Sequence, residues 1–205
     1  GSLVVQACGS DEQKDQLLKK LKLLILIFTI AFATGIEMPE YKVIIKEGPF
    51  EIREYDSMII ARTQIENSYR ESTYTGFRRI ADYIFGGNDQ NMKINMTAPV
   101  ISDSPVNNEG KYEVLFVMPK KHTLNSLPKP VSSNVIIEER KLGKVAVLQF
   151  GGWATERRSK YFHHKLIQLL QLKNIVPKRG AIVAQYNSPF ALPPFRRNEI
   201  IISIE

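Results

Sequence analysis

The feature that most constrains the fold of this chain is an order of structural elements that occurs twice. From residue 41 onwards, extended runs lead into an amphipathic helix and continue as further extended runs, and the same order returns after about 90 residues. The two halves share no strong residue-by-residue identity, so the repeat is architectural. Strands that outnumber helices and follow one another through short loops predict an antiparallel sheet. We therefore expect an α+β fold: a distorted antiparallel β-barrel made of two strands–helix–strands repeats, with two helices packed outside.

The first half places one helix between extended runs. Ser68 and Glu71 have the spacing of a capping box, which predicts a helix beginning at residue 69, and Gly86-Gly87 predicts its end near residue 85. Apolar residues at i, i+3, i+4 and i+7 give this helix one buried face, formed by Phe77, Ile80, Ala81 and Ile84. Runs typical of strands cover residues 41–46, 50–55, 57–65, 93–101 and 112–118.

The second half follows a proline-rich connecting loop at residues 119–134. Strand patterns cover residues 135–140, 144–150, 181–186 and 199–204. Between them, after the Gly151-Gly152 turn, a helix is predicted over residues 155–173. Its apolar residues share one face, which we expect to pack on the sheet: Phe162, Leu166, Leu169 and Leu170.

The N-terminal 33 residues carry the pattern of a targeting segment. Three lysines precede an apolar stretch at residues 23–33, which ends in an Ala-x-Ala sequence, the layout of a secretory signal peptide. We expect residues 17–33 to be a cleaved signal segment; a retained anchor and an ordinary amphipathic helix are the alternatives. Residues 1–16 are interpreted as a vector-derived or upstream segment. This predicts an exported protein, periplasmic or envelope-associated, whose folded part is a single domain at residues 41–204.

Cysteine and histidine usage excludes two ways of stabilising the fold. The chain has one cysteine, Cys8, so no intrachain disulfide can form. Its three histidines and one cysteine lack the spacing of metal ligands, so we expect no metal site.

Charge and motifs argue against nucleic acid and against catalysis. The net charge is +7, but the basic pairs are scattered and no basic stripe is interleaved with aromatic residues, so nucleic-acid binding is not expected. The sequence contains no nucleophile elbow, HExxH motif or Walker loop, so we expect that the protein is not an enzyme. We expect a monomer that meets a membrane only through its N-terminal segment, if that segment is uncleaved.

Four segments in order resemble those of the SOUL haem-binding protein family. They are YKVIIKEGPFEIREY at residues 41–55, MKINMTAPV at 92–100, QFGG at 149–152 and AQYNSPFALPPFRRNE at 184–199. The resemblance covers residues 41–204, and the leader-like segment makes this chain similar to an exported, bacterial member. It implies a β-barrel of two similar halves and non-catalytic binding of haem or a related tetrapyrrole.

The resemblance also implies where the tetrapyrrole binds. In the family it lies in an apolar cleft between the first helix and the loop before the last strand, here residues 69–85 and 187–197. The residues expected to bind the cofactor are Tyr74, Phe77, Arg78, Ala81 and Phe85 on the helix and Tyr186, Phe190, Leu192 and Phe195 around the loop. Arg78 would pair with a propionate. Two alternatives stay open: Arg78 pairs with Asp82 on a solvated face, or the apolar loop residues cap the barrel as core.

The sequence offers no convincing axial ligand for a haem iron. His122 sits in a lysine-rich turn, and His163 and His164 are neighbours on a helix, so they point about 100° apart. Family members credited with an axial histidine carry it in the E-x-R-x-Y strand, where this chain has Glu54. We therefore expect non-covalent haem, held by apolar contacts and propionate pairing, with weak or no axial ligation.

Two other functions fit the same fold. One is a ligand-free partner-binding or envelope-structural protein. The other is a binder of cationic amphiphiles, which would require a buried carboxylate, and Glu199 and Glu54 are its candidates.

Overall fold

The computed structural model describes residues 36–205 except 107, 109, 179, 189 and 190, so the segments 1–16 and 17–33 lie outside it. Seven strands and two α-helices follow one another in the described chain. They are β1 (Tyr41–Glu47), β2 (Phe50–Glu66), α1 (Tyr69–Ile84), β3 (Val100–Asp103), β4 (Lys111–Val117), β5 (Ile136–Phe150), α2 (Glu156–Leu172), β6 (Ile182–Gln185) and β7 (Asn198–Ser203). A single 3₁₀ turn, Pro193–Phe195, precedes β7.

Six antiparallel strands close into a barrel. They pair in the order β2-β4-β3-β6-β7-β5, and a long pairing between β2 and β5 completes the ring. β1 adds to the free edge of β2. The two helices lie outside, α1 on β2 and β4 and α2 on β5 and β7. The predicted α+β fold, an antiparallel barrel with two outer helices, is confirmed.

The longest strands, β2 and β5, each join two runs that the sequence divides. They pair without a change of register from Phe50 opposite Leu148 to Arg62 opposite Ile136. The polar residue Asp56 and the left-handed Gly143 (φ 67°) resemble chain breaks in sequence. Because the two strands bond to each other throughout, the predicted divisions at 55–57 and 140–144 are wrong.

Apolar side chains form three buried clusters. One lies under α1 and contains Ile65, Ile80, Ile84, Val114 and Phe116, among others. A second lies under α2 and contains Ile52, Leu148, Leu166, Leu170 and Ile200. The third includes no helix residue and fills the barrel interior with Tyr55, Ile60, Leu115, Val147 and Ile201. Each helix therefore buries the face that its periodicity predicts.

A close approach between α1 and β4 depends on a glycine. A Cβ atom built at Gly76 would lie 2.5 Å from Cγ2 of the Val114 side chain, closer than real Cβ contacts allow. At its start, α1 forms half of the predicted capping box: the Ser68 hydroxyl accepts a hydrogen bond from the Glu71 backbone N–H at 3.4 Å, whereas the Ser68 backbone N–H donates to Asn67 Oδ1 at 2.7 Å. None of the helices in the described part of the chain is long and apolar enough to cross a membrane.

The extended run at 93–101 becomes a strand only from Val100 onwards. Upstream of it, the backbone is held by the turn after α1: the Asn88 side chain bonds both the N–H and the C=O of Met92, and the Ile94 N–H donates to Ile84 O at 2.8 Å. These bonds replace the ladder that a neighbouring strand would supply. The prediction of a strand from residue 93 is therefore wrong in its first part.

Candidate functional site

The outer face of α1 carries three of the residues predicted to bind a ligand. Tyr74 on α1 and Phe85, the residue that caps the end of α1, are both 60% exposed, although each is a large aromatic residue. Arg78 is exposed between them, with its guanidinium carbon 5.8 Å from the centroid of the Tyr74 ring. None of the ion pairs between described residues joins Arg78 to Asp82, so the helix pair considered as an alternative is not formed in this structure.

Two of the predicted helix residues instead belong to the core. Ala81 is 9% exposed. Phe77 is half-buried, packs against the cluster under α1, and has its ring centroid 5.5 Å from that of Phe116. Phe77 therefore links the predicted ligand surface to the core beneath it, and Ala81 contributes to the core alone.

The loop before β7 presents apolar side chains to solvent. Leu192 is 64% exposed and Phe195 is 75% exposed, so neither residue caps the barrel as core. The Gly152 N–H donates to the Pro193 carbonyl oxygen at 3.2 Å and anchors the loop to the turn before α2. Phe190, also predicted to bind the ligand, lies outside the described residues.

An exposed tryptophan next to this loop was not predicted. Trp153 is 49% exposed, and the guanidinium carbon of Arg196 lies 3.6 Å from the centroid of its ring. Arg196 also donates from Nε to the Ala191 carbonyl oxygen at 2.8 Å, so it fixes the loop against the tryptophan. The sequence contains one indication of this exposed residue: the single tryptophan of the chain directly follows the Gly151-Gly152 turn, where a residue buried in the core would be unusual.

Strand register relates the start of the loop to the strand beneath α1. Phe116 of β4 pairs with Val100 of β3, and Val100 pairs with Gln185, the last residue of β6. Neighbouring strands lie about 4.8 Å apart, so about two strand spacings separate the strand under Phe77 from the start of the loop. The strand residue under Phe77 and the start of the loop thus lie near the same end of β3, β4 and β6.

Tyr186, the remaining predicted residue, points into the barrel instead. Its hydroxyl donates a hydrogen bond to Glu199 Oε2 at 2.6 Å, and its ring packs against the interior cluster. The guanidinium carbon of Arg197 lies 4.1 Å from the centroid of the Tyr186 ring. The structure therefore assigns Tyr186 to an interior polar network.

That network centres on a buried carboxylate. Glu199 accepts two hydrogen bonds from Arg53, both 2.9 Å long, and two from Arg197 at 2.7 and 3.1 Å. Arg53 is further held by Glu51, at 2.6 Å from Nε to Oε2, and by the Tyr55 hydroxyl. Sequence reasoning missed the network because its partners lie far apart along the chain.

The network sets the ionisation of its members. Burial would raise the pKa of Glu199, but the hydrogen bonds and charge of Arg53, with hydrogen bonds from Tyr186 and Arg197, outweigh burial and hold that pKa below its usual range. Burial, followed by the charge of Glu199, raises the pKa of Tyr186. The carboxylate is thus ionised and its charge is balanced within the protein.

The histidines lie at two separate places, since His163 and His164 are neighbours on α2 and His122 is far from them in the sequence. His163 Nδ1 lies 2.8 Å from the Ser104 hydroxyl, and His164 Nδ1 lies 2.6 Å from the Lys160 carbonyl oxygen of its own helix. His122 lies after β4, in a lysine-rich turn. The part of the chain that the structure describes has no group of three or more His, Cys, Asp and Glu side chains placed to hold a metal.

Among the residues that the structure describes, two cavities are large enough for a small molecule. One, of about 500 Å³, lies between β1 and β4, and the other, of about 340 Å³, lies at a mouth of the barrel beside Ile101, Leu115 and Ile182. No residue predicted to bind the ligand lines either cavity. The predicted site is therefore separate from both.

Comparison with known proteins agrees with this architecture. Two solved structures share the fold: the C-terminal domain of EcmrR, with a TM-score of 0.57 and 11% identity over 80% of this chain and 98% of that one, and a hydrolase from Listeria innocua, with a TM-score of 0.54 and 9% identity over 79% and 94%. At such identities the likeness concerns the fold alone.

Sequence comparison is more specific. The human protein named heme-binding protein 2 is 31% identical over 186 residues, which are 83% of this chain and 87% of that protein. The Xenopus laevis protein named heme-binding protein 1 is 30% identical over 131 residues, 60% of this chain and 68% of that protein. A family model described as SOUL heme-binding protein matches residues 36–203, which span the whole barrel and both helices. With its two-helix barrel matched from end to end, this chain belongs to the SOUL haem-binding protein family.

Proposed function

We propose that this chain binds haem or a related tetrapyrrole non-covalently, without catalysing a reaction, on the apolar surface formed by the outer face of α1 and the loop 187–197. The observation that carries the proposal is the exposure of Leu192 and Phe195 beside the exposed Trp153. Large apolar groups gathered in water mark surfaces that a ligand or partner covers. Relatives named for haem binding make a tetrapyrrole the favoured ligand.

The exposed side chains suit the two parts of such a ligand. The faces of a porphyrin are apolar, and fully burying one leucine or phenylalanine side chain contributes about 1.5–3 kcal/mol. Tyr74 and Phe85 supply aromatic surface on the helix, and Phe195 supplies it on the loop. Arg78, exposed between the helix aromatics, can pair with a propionate.

Iron ligation by histidine is not required in this proposal. His163 and His164 both lie on α2, away from α1. His163 contacts the Ser104 hydroxyl, and His164 contacts the Lys160 carbonyl oxygen. We propose that apolar contact and propionate pairing hold the ligand, with weak or no axial ligation.

The cationic-amphiphile alternative loses the two carboxylates proposed for it. Glu199 is bonded to Arg53, Arg197 and Tyr186, so its charge is already balanced. Glu54 is exposed. A ligand-free partner-binding role would use the same apolar surface, and a hemin titration separates it from the proposed function.

The cellular setting is also a proposal. The leader-like residues 17–33 support an exported, periplasmic or envelope-associated protein of bacterial type. We propose that it acts as a monomer.

The test is a hemin titration followed by the Soret absorbance band. Phe195→Asp places a charge where a porphyrin face would rest, and desolvating that charge costs several kcal/mol, so binding should nearly disappear. Leu172→Asp is the matched control, because Leu172 is 81% exposed at the end of α2, away from the proposed surface. Equal hemin affinity of the two variants, both folded, would refute the proposed site.

A further inference from the structure

The second helix lies in a part of the sequence that has no acidic residue after its first position. Residues 157–198 contain nine of the 28 Lys and Arg residues of the chain and none of its 21 Asp and Glu residues. The first helix differs, since Glu71 and Asp82 accompany arginines on its exposed side. A continuous excess of one charge on a surface attracts a partner of the opposite charge.

The outer face of α2 combines cations with large apolar side chains. Every third or fourth residue along it shares this face, because the helix turns once in 3.6 residues. The residues of this face are all exposed, and they are Arg157, Tyr161, Lys165, Gln168 and Leu172. On the opposite face, Leu166 and Leu170 are buried against the barrel. The outer face therefore has no packing role within the folded domain.

Two cations of this face are available to a partner. None of the ion pairs between described residues involves Arg157 or Lys165. Lys160 and Lys173 differ, since each lies 2.6 Å from a carboxylate oxygen. Arg157 and Lys165 thus present charge that the protein does not balance locally.

The apolar side chains of this face distinguish a membrane from other anionic partners. Tyr161 is 61% exposed and Leu172 is 81% exposed. Val176, in the loop after α2, is 56% exposed. Cations alone would suit any polyanion. Cations together with exposed tyrosine and leucine are typical of helices that lie on an anionic bilayer, because the apolar groups enter the head-group region while the cations stay in water.

We propose that the outer face of α2 docks on a membrane surface that contains anionic lipid. Arg157 and Lys165 attract the head groups, and Tyr161 and Leu172 enter the boundary between head groups and acyl chains. Membrane contact was expected through the N-terminal segment alone, so this contact is an additional one, made by the folded domain. It shares no residue with the proposed haem surface on α1 and the loop 187–197.

A fluorescent reporter on the face itself tests the contact in the full chain. Gln168→Cys, combined with Cys8→Ser, takes a thiol-reactive NBD label in the middle of the face. Asn125→Cys is the matched control, because Asn125 is also an exposed amide but lies in the loop 119–134. Vesicles of phosphatidylcholine and phosphatidylglycerol should brighten the label at 168 and shift its emission to shorter wavelength, and should leave the label at 125 unchanged. The same response at both positions, or none at 168, would overturn the proposal.

Charge substitutions test the cations. Each Lys or Arg beside anionic lipid strengthens binding about fivefold, so Arg157→Gln with Lys165→Gln should weaken the vesicle titration of the label at 168 by at least about tenfold. Lys42→Gln with Lys141→Gln removes the same charge from exposed positions on β1 and β5, and it should have a much smaller effect. Equal losses in the two double variants would assign the effect to net charge and contradict a docking face on α2.

An apolar substitution separates a bilayer from other polyanions. Leu172→Ser leaves every charge in place and removes an apolar group, so it should weaken vesicle binding by about threefold or more. Duplex DNA should not shift the emission of the label at 168, and glycerol 3-phosphate, a soluble head-group mimic, should not compete with vesicles. Unchanged vesicle affinity in Leu172→Ser, or tighter binding of DNA than of vesicles, would refute docking on a bilayer.

Hemin uptake keeps this contact distinct from the haem surface. Arg157→Gln with Lys165→Gln should take up hemin with the affinity of the unsubstituted chain. Phe195→Asp should lose hemin and keep the response of the label at 168 to vesicles. Loss of both hemin and vesicle binding in either variant, while it remains folded, would contradict two separate surfaces.

Discussion

The guanidinium group of Arg53 meets the carboxylate of Glu199 through two parallel hydrogen bonds, with Nη1 2.9 Å from Oε2 and Nη2 2.9 Å from Oε1. Arg53 is 1% exposed and Glu199 is fully buried, although 146 positions separate them in the chain. The pair joins β2, near the start of the fold, to β7 at its end. Two charges out of contact with water are stable only while each keeps its partners.

Removing the arginine should destabilise the barrel strongly. Arg53→Met leaves Glu199 buried with Arg197 and Tyr186 as its remaining partners, and losing one member of a buried pair costs about 3–5 kcal/mol. Urea unfolding measures the free energy difference. Arg78→Met, on the exposed face of α1, is the control and should stay within about 0.5 kcal/mol of the unsubstituted chain. A cost below 1 kcal/mol for Arg53→Met, relative to that control, would show that the ion pair does not stabilise the fold.

The same carboxylate should make stability depend on acidity. The folded pKa of Glu199 lies below its ordinary value of 4.5, so the folded state binds its proton more weakly than the unfolded state does. Its contribution is complete above about pH 4.5 and is lost as pH falls through the folded pKa. The free energy of unfolding should therefore rise from pH 2.5 to pH 5, and it should rise less in the Glu199→Leu variant. Urea unfolding of both chains at each pH measures this difference. Parallel profiles for the two chains would contradict this assignment.

Histidine should be dispensable for hemin. Replacing His122, His163 and His164 together with alanine should change the hemin dissociation constant by less than about threefold, or 0.7 kcal/mol, because none of them lies on the proposed surface. Absorbance titration measures the constant and also the spin state of the iron. A tenfold loss of affinity would place an axial ligand among these three residues.

Arg78 should contribute an exposed, salt-sensitive contact. Arg78→Glu replaces a propionate partner by a like charge, and at a wet surface we expect a loss of about 1 kcal/mol in hemin binding. The loss should shrink as salt is raised from low to physiological ionic strength and beyond. Lys165→Glu on α2 makes the same change of net charge away from the surface, and it should have little effect. An equal loss in both variants would assign the effect to overall charge.

Local signals in the sequence predicted the helices and most strands. The helix cap at Ser68 was decisive because its bond from the Glu71 backbone N–H forms within one turn. The continuity of β2 through Asp56 could not be predicted from local sequence, because it depends on pairing with β5, whose paired residues lie 74 to 98 positions further along the chain. The strand predicted from residue 93 was wrong at its start, because hydrogen bonds from the Asn88 side chain hold the Met92 backbone in the turn after α1.

The candidate site was predictable only in part. Apolar residues in a polar setting indicated Tyr74, Phe85 and Phe195, whose exposure the structure confirms. The interior position of Tyr186 was not predictable, since its partner Glu199 faces it across a hairpin. The larger cavity, between β1 and β4, was not predictable either. It arises because β1 and β4 pair with separate parts of β2, and no sequence motif marks that gap.

The most direct test of the central claim is to map the binding of a diamagnetic porphyrin onto the backbone amides by NMR. Gallium protoporphyrin keeps the ring and both propionates of haem and avoids paramagnetic broadening. Saturable shifts should be largest at Tyr74, Arg78 and Phe85 on α1 and at residues 191–196 of the loop, with Trp153 following. A tetrapyrrole site between α1 and the loop would be contradicted by shifts confined to the barrel interior or to the cavity between β1 and β4. It would also be contradicted if no saturable shifts were seen.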